Sequence, residues 1–524
     1  MQKFAMRYRS AQALPVAGLT AVVVLAIGLR LVPILLVPSM VWPDEVFQTS
    51  EPAHRLVYGT GLVPWEFQFG IRSWLLPGAI ALVMELSRIV GDGPDYYLPA
   101  IAGAFAVLAA TPVVCAFLWS RQLFGLSGAL VAGTAVAVAP ELVYFGARTL
   151  SEVVAGHLLI AGLYTLDPGY PVTSRRRLFA GGALLAVVLV LRVQLAPAVV
   201  IAALWANLRS ARKCALPTLA GVTAGFIAAG TLDALTLGYP LASLWRYVLY
   251  NAYYGVSSTF GVEPGIYYLQ GELEVWASAL PFLLLLLTLG ARRMPGLMAA
   301  AVTIIAVHSM IGHKEYRFIY PATVLLMVLA GVGLAQIVSW GQNFLNGQGH
   351  RGNIAALSCV FLFVGFWCFV SHRVWTGPTF AALRDRAHDN LSAAAFVSHG
   401  PAPCGIGLYG AGGKDWLDSG GYTHFHHDVP LFWPKNENAL LAAAVGFNTL
   451  VYTQASPSSL GFNLVKCFGQ VCVARRAGNC RASPVEPMPV PAPLIPLERE
   501  MRSSLGLSQA GAGGMRSYLT NANP

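Results

Sequence analysis

Residues 74–90 read WLLPGAIALVMELSRIV, and whether they cross a bilayer decides how the rest of the chain is threaded. The run is apolar, yet it carries Pro77 near its start and Glu85 and Arg88 near its end. Eleven other apolar runs lie near 16–38, 97–119, 126–145, 150–166, 178–191, 194–208, 215–235, 275–290, 295–312, 318–339 and 354–374. Many are close to the ~20 residues a helix needs to span a membrane. Basic residues gather between them at Lys3/Arg7/Arg9, Arg121, Arg175–Arg176–Arg177, Arg209/Arg212/Lys213, Arg292/Arg293 and Arg351. Short loops rich in Lys and Arg mark the cytoplasmic side. If 74–90 crosses, the triple-arginine cluster and every later one fall outside. If it lies in the interface or re-enters, all six clusters fall inside. The sequence therefore predicts an all-α polytopic membrane protein of about eleven transmembrane helices, N-terminus inside and C-terminal region outside.

Composition agrees. The 524 residues are 56% hydrophobic and only 11% charged, against roughly 25% charged in soluble globular chains. The net charge of +10 is accounted for by the loop clusters, so it implies a lipid bilayer as partner and no nucleic acid. The first apolar run continues past Arg30 to about Val37 without a small-x-small cleavage site, which makes it a retained span rather than a signal peptide.

This threading puts the chemically interesting stretches on one non-cytoplasmic face. Just before 74–90 comes WPDEVFQTSEPAHRLVYGTGLVPWEFQFGIRSW (42–74), with Asp44, Glu45, Glu51 and Glu66 among aromatics. Such a rim offers carboxylates to take a proton, Arg55 and Arg72 to meet an anion, and Trp42 and Trp65 at the headgroup level. Asp44 and Glu45 are the candidate catalytic pair, although both acids also suit simple pairing with Arg55 and Arg72. His54, Trp65 and Glu66 are candidate substrate contacts. In FGARTLSE (145–152), Arg148 can hold a phosphate while Thr149 or Ser151 caps the next helix; a snorkelling arginine at a helix start reads the same way. HKEYRFIYP (313–321) packs His313, Lys314, Glu315 and Arg317 between apolar runs, and ionisable groups there are costly unless paired, exposed or used. Lys314 and Arg317, three apart, would face one anionic headgroup from a helix. The 236–274 region adds many aromatics with Asn251, which suits a sugar or lipid headgroup and equally an interfacial belt.

From about residue 375 the character changes. A helix over 379–399, strands at 405–410 and 449–454 and a helix over 436–446 predict a small exported α/β appendage at 375–480, after a transmembrane catalytic domain at 1–374. SPVEPMPVPAPLIP opens a Pro-rich tail, 481–524, expected to be extended or disordered. Cys115, Cys214, Cys359 and Cys368 lie in or beside apolar runs and read as reduced packing residues. Cys404, Cys467, Cys472 and Cys480 all fall in the appendage and suit one or two disulfides. Cys472–Cys480, closing a short loop, with Cys404–Cys467 as companion, is the expected pairing. No CxxC is present, and no metal site is expected.

Together these stretches resemble glycosyltransferase family 22, the polyprenyl-phosphate-mannose-dependent α-mannosyltransferases that extend GPI anchors and N-glycan precursors. PDEVFQTSEPAHRLVYGTG with WEF and IRSW is similar to that family's first luminal loop, FGARTLSE to its R-T-x-S turn, and HKEYRFIYP to its HKE-x-RF-x-P signature. Asp233 with Asn251 and Tyr254–Gly255 is a weaker match, and GGYTHFHHDVPL (420–431) also looks familial. The resemblance implies a GT-C fold and an inverting reaction without a cofactor. Asp44 would be the general base on an acceptor hydroxyl, and Lys314 and Arg317, with Arg72 and Arg148, would stabilise the departing lipid phosphate. It also implies a polyprenyl-phosphate-linked sugar donor and a glycan or glycolipid acceptor. The Ala/Gly-rich spans and short loops have a bacterial look, which would place the site in the periplasm of an inner membrane, or in the endoplasmic reticulum lumen for a eukaryotic chain. Two alternatives are a GT-C transferase of another sugar and a polytopic transporter; a transporter would concentrate its polar groups near the midplane.

Overall fold

The computed structural model describes residues 2–167, 174–207, 211–345, 349–453 and 460–504. Arg209, the side chain of Cys359 and the tail beyond 504 lie outside the described residues. The chain up to Trp375 is helical. Among the described residues, five helical stretches are long and apolar enough to cross a membrane: Pro15–Leu36, Pro94–Ala137, Cys214–Leu237, Tyr267–Arg293 and Tyr316–Leu345. A bent pair, Val360–Trp375 with Pro378–Ser398, makes a sixth, and shorter apolar helices such as Ser151–Leu166 and Pro295–Met310 lie among them. Pro94–Ala137 has 44 residues, about twice what the ~30 Å hydrocarbon core requires. It is interrupted at Gly125, whose φ of 74° and ψ of −161° no helix contains.

The decisive segment forms a helix of 13 residues, Leu75–Ser87, roughly 20 Å at about 1.5 Å per residue and too short to cross alone. Leu76, Ile80 and Met84, one helical turn apart, are buried against Ala53, Tyr97 and Ile101, while Leu82, Leu86, Ile89 and Val90 are exposed. A helix with one apolar face inward and another outward suits the lipid interface, and Glu85 and Arg88 pair at its polar end. Elsewhere the bundle tightens through small residues. A Cβ added at Gly182 or Gly221 would strike the backbone of the opposite helix, which is why Arg175–Leu191 and Ala211–Leu237 lie so close.

Beyond Trp375 the expected long helix is two, Pro378–Asp385 and His388–Ser398, broken at Ala387 with φ 57°. A five-stranded sheet follows: β1 (Ile406–Tyr409), β2 (Leu431–Phe432), β3 (Thr449–Tyr452), β4 (Asn463–Phe468) and β5 (Val471–Arg475). The order is β2-β1-β3-β5-β4, with β1 parallel to both β2 and β3 and the β4–β5 hairpin antiparallel. β1 and β3 are the strands read from sequence; β2 and the hairpin are not. The disulfides are Cys404–Cys480 and Cys467–Cys472, which corrects the expected pairing. Cys467 and Cys472 face each other in register across the hairpin, with Cα atoms 4.0 Å apart. Cys480 is then left for Cys404, just ahead of β1.

The sheet layer is bolted to the first loop. Met40, Val46 and Phe47 share a buried cluster with Leu391, Trp416, Phe425 and Trp433. The buried Glu51 carboxylate accepts from the backbone N–H of Leu62, Tyr422 and Thr423, each at 2.9 Å, and from the Thr423 hydroxyl at 2.7 Å. Gly421 lies so close that a Cβ there would meet that carboxylate at 2.7 Å. The Pro-rich stretch carries no regular secondary structure over 481–491 and is not free. Val485 and Met488 pack on the sheet layer, and Leu494 is buried with Phe69, Ile71, Tyr250 and Val256 before a helix at Ile495–Ser504.

Candidate active site

The first long helix ends at Leu36, and the turn that follows is held by Glu45. One oxygen of its carboxylate accepts the N–H of Val41 at 2.9 Å and of Trp42 at 3.3 Å, and the other meets Arg148 at 2.8 Å. Its carbonyl accepts the hydroxyls of Thr49 and Thr149, both at 2.6 Å. Glu45, expected in the catalytic pair, is therefore consumed in holding the loop. Arg148, expected on the donor phosphate, is likewise spoken for: it donates to the Ser39 carbonyl and hydroxyl and lies 4.3 Å over the Tyr144 ring. What this scaffold presents is Asp44, whose side chain is 27% exposed and is bonded to Arg317.

Arg317 is the hub. It leaves the Gly312–Glu315 stretch at the start of a short 3-10 turn and is buried against Trp42 and Phe318. Its Nε meets Glu315 at 2.6 Å, Nη1 meets Glu152 at 3.4 Å, and Nη2 holds Asp44. Glu152 also pairs with Arg192. On the outer side His313 lies 3.2 Å from Glu315 and 3.1 Å from the Gly261 carbonyl. That hydrogen bond to Glu315 raises the His313 pKa; burial would raise the Glu315 carboxyl, but Arg317 outweighs it and holds it below the usual range.

Lys314 takes no part in this centre, contrary to expectation. Its ammonium donates to the carbonyls of Glu263 at 2.7 Å, Ile311 at 2.5 Å and Gly312 at 3.4 Å, using its three hydrogens to close the loop. The spacing argument fails because no helix runs through 313–315, so Lys314 and Arg317 point different ways. His54 is also displaced from the expected role. It shares a helix face with Glu51 and Tyr58, and is buried between the Thr60 carbonyl at 2.7 Å and His426 Nδ1 at 3.1 Å.

Glu66 does belong to the centre. It accepts from Gln48 at 2.9 Å, and burial, with Asp44 nearby, pushes its carboxyl up to about 7. Trp65 stacks on Phe260 at 6.1 Å, on the side where Leu494 is buried. Asn251 donates to the Tyr247 carbonyl at 3.0 Å within the turn Leu249–Tyr253.

A small cavity opens at Gln48, the partner of Glu66, and at Arg72. Its polar wall includes Arg72, Gln48, Ser151 and Gln194, and its apolar wall includes Leu76, Leu191 and Val193. Arg72 lies 5.5 Å over the Tyr247 ring and, among the described residues, makes no ion pair. Burial, first, and the nearby Arg192 lower its pKa, while Glu66 and Asp44 act in the opposite direction. Arg192 was missed in the sequence, as was the pairing of Glu152. The available signal was a lone arginine between two apolar runs, 178–191 and 194–208. Among the described residues no group of three or more His, Cys, Asp and Glu side chains could hold a metal ion.

The helical bundle has the GT-C fold. The crystal structure of ArnT from Cupriavidus metallidurans, bound to undecaprenyl phosphate, shares this fold with a TM-score of 0.58, covering 90% of this chain and 99% of that one at 16% identity. Residues 20–378 match the Alg9-like mannosyltransferase family, and the chain belongs to it. Similar curated proteins include GPI mannosyltransferase 3 of Yarrowia lipolytica, 29% identical over 60% of this chain and 62% of that protein. GPI alpha-1,2-mannosyltransferase 3 of Mus musculus is 27% identical over 61% of this chain and 60% of its own length. The chain thus spans less than two thirds of these relatives.

Proposed function

We propose that the chain is an inverting mannosyltransferase that takes its sugar from a polyprenyl-phosphate donor and gives it to a glycan or glycolipid acceptor. The reaction takes place on the non-cytoplasmic face of a membrane crossed eleven times, the periplasmic face in a bacterium. The observation that carries this reading is Arg72, which makes no ion pair among the described residues and stands at a cavity with one apolar wall, near Arg192, Glu66 and Asp44. Such a cavity suits a phosphate with a lipid tail. The ArnT structure was bound to undecaprenyl phosphate, and the GPI-directed relatives support a glycolipid acceptor.

Asp44 takes the proton of an acceptor hydroxyl as its oxygen bonds to the anomeric carbon. The carbon–phosphate oxygen bond breaks on the opposite face, and the lipid phosphate departs as an anion. No acid is needed, because a phosphate leaves without protonation, unlike the alkoxide of a hydrolysed glycoside. Arg72, Arg192 and Arg317 neutralise the charge gathering on it; Glu45, Arg148 and Lys314 hold the loops that carry them.

The test is transfer by purified protein in detergent. Polyprenyl-phosphate-mannose should serve as donor, nucleotide-mannose should not, and a chelator should leave the rate unchanged. Transfer from the nucleotide sugar, or loss of activity with chelator, would overturn the proposal, while preference for another polyprenyl-linked sugar would correct the donor.

Glu66 adds a pH signature. Its carboxyl, raised to about 7, is neutral below that pH and negative above it, close to where the donor phosphate binds. The donor KM should therefore rise as pH increases through 7, and Glu66→Gln should flatten that dependence. An unchanged pH profile in the variant would remove Glu66 from the phosphate's surroundings.

A further inference from the structure

Tyr316 lies between Glu315 and Arg317, at the start of the turn Tyr316–Ile319, yet it joins none of their ion pairs. Its hydroxyl reaches two other glutamates. It is bonded to one oxygen of Glu141 and lies 3.0 Å from Glu272 Oε1. The second oxygen of Glu141 accepts the indole N–H of Trp276 at 3.2 Å. Three elements meet there: the turn itself, the helix Pro140–Phe145 that precedes Arg148, and the helix Tyr267–Trp276. The approach is close, since a Cβ at Gly271 would come within 3.0 Å of the Tyr316 ring. Nothing in the transfer chemistry uses these two carboxylates.

The hydrogens do not balance if both glutamates are ionised. A tyrosine hydroxyl has one hydrogen to donate, whereas an ionised carboxylate only accepts. Tyr316 can therefore serve one carboxylate and would set its bare oxygen against the other. Neither Glu141 nor Glu272 forms an ion pair among the described residues. Glu141 is fully buried, and two like charges sharing such a place do not both ionise. One more proton closes the count. Glu141 already accepts from Trp276 on one oxygen and sits against the Tyr316 hydroxyl with the other, which suits the charged form. The extra hydrogen then belongs on Glu272, which donates to the Tyr316 oxygen. The bonds run one way, from Glu272 through Tyr316 to Glu141, with every hydrogen used.

We propose that a proton held by Glu272 completes a latch with Tyr316 and Glu141, and that this latch positions Arg317 for the donor phosphate. What Arg317 does rests on the glycosyl-transfer reading above; the proton does not. Tyr316 is a positioning residue, acting through the turn it shares with Arg317. That turn holds Asp44 through the guanidinium and is itself fixed to two helices through the Tyr316 hydroxyl. The guanidinium is thus aimed by bonds made outside the centre it serves.

The experiment uses the full-length enzyme in detergent. Infrared difference spectra should show the band of a protonated carboxyl that is lost in Glu272→Gln and kept in Glu66→Gln. Glutamine supplies the same hydrogen permanently, so Glu272→Gln should turn over at close to the wild-type rate. Tyr316→Phe keeps the ring and removes the bridge. Its kcat/KM for the donor should fall about 10-fold, a hydrogen bond's worth, with acceptor KM unchanged. In an Arg317→Lys background the same change should cost little more, because lysine has no fork to aim. Equal losses in both backgrounds would overturn the positioning role, and a spectrum unchanged by Glu272→Gln would overturn the proton. Should Tyr316→Phe fail to fold, Glu272→Leu, which removes the donor, takes its place. It should show the same loss more weakly, and a rate equal to that of Glu272→Gln would overturn the latch. If wild-type protein transfers no sugar yet loses the band in Glu272→Gln, the proton stands and the transferase reading falls.

Discussion

Asp44→Asn should reduce mannosyl transfer by roughly 10²–10⁴-fold, the usual contribution of a general base, while donor KM does not rise. Asparagine keeps the shape of the side chain and can still accept from Arg317, but it has no basicity to offer an attacking hydroxyl. Asp44 is the carboxylate suited to the task because it alone in the loop turn is left partly exposed, at 27% of its side chain. Its neighbour Glu45 has two backbone N–H groups and Arg148 already on its oxygens. Glu45→Gln should therefore fail in another way. Its new amide hydrogens would confront either those donors or the Arg148 guanidinium, and thermal stability should fall before any clean kinetic effect is seen. Rates measured with varied donor and acceptor, alongside melting temperatures, separate the two outcomes. A stable, inactive Glu45→Gln beside an active Asp44→Asn would move the base by one residue.

How much of this centre could be read from the chain depends on how far each partner lies from the motif that announces it. The helical membrane class follows from composition, and the shortness of the helix Leu75–Ser87 agrees with the reading from charge parity, Pro77, Glu85 and Arg88 that this segment does not cross. Asp44 and Arg317 were recognisable because each sits in a dense polar stretch between apolar runs. Their contact, across 273 residues, was not. Arg192 and Glu152 were hidden because each stands at the end of an apolar run, where a single charge looks like a boundary marker. Lys314 misled for the opposite reason. Its place beside Glu315 and Arg317 suggested a shared ligand, whereas an irregular backbone turns it onto the carbonyls of Ile311, Gly312 and Glu263. The disulfides failed similarly, since pairing by closeness in sequence ignores the hairpin register that sets Cys467 opposite Cys472. Local chemistry was legible, then, and long-range charge pairing was not.

Arg317→Ala should be the more damaging change, abolishing measurable transfer and lowering stability as well. The guanidinium is shared by Asp44, Glu315 and Glu152, so its removal leaves three carboxylates around a buried space, with Arg192 on Glu152, His313 beside Glu315 and nothing on Asp44 among the described ion pairs. An uncompensated buried charge of this kind costs about 3–5 kcal/mol, enough to be plain in a melting curve. Arg317→Lys isolates the chemical part. It keeps one positive charge but cannot satisfy three carboxylates in a planar fork, and it cannot give two parallel bonds to a phosphate. Turnover should fall on the order of 10²–10³-fold, the effect of losing one preorganised donor to a developing anion, with donor KM raised and acceptor KM little changed. The ion pair with Asp44 makes one more demand. While Arg317 is held by Asp44 the base is occupied, and an arriving donor phosphate competes for the same guanidinium, so Asp44 is released only once the donor is in place. Binding should accordingly be ordered, donor before acceptor, with acceptor acting as an uncompetitive partner in dead-end inhibition against the donor. In Asp44→Asn, where the competing carboxylate is gone, free polyprenyl phosphate should bind more tightly than in the wild type. Equal or weaker binding of the lipid phosphate to Asp44→Asn would show that Arg317 does not exchange between the base and the donor, and would leave it a structural anchor.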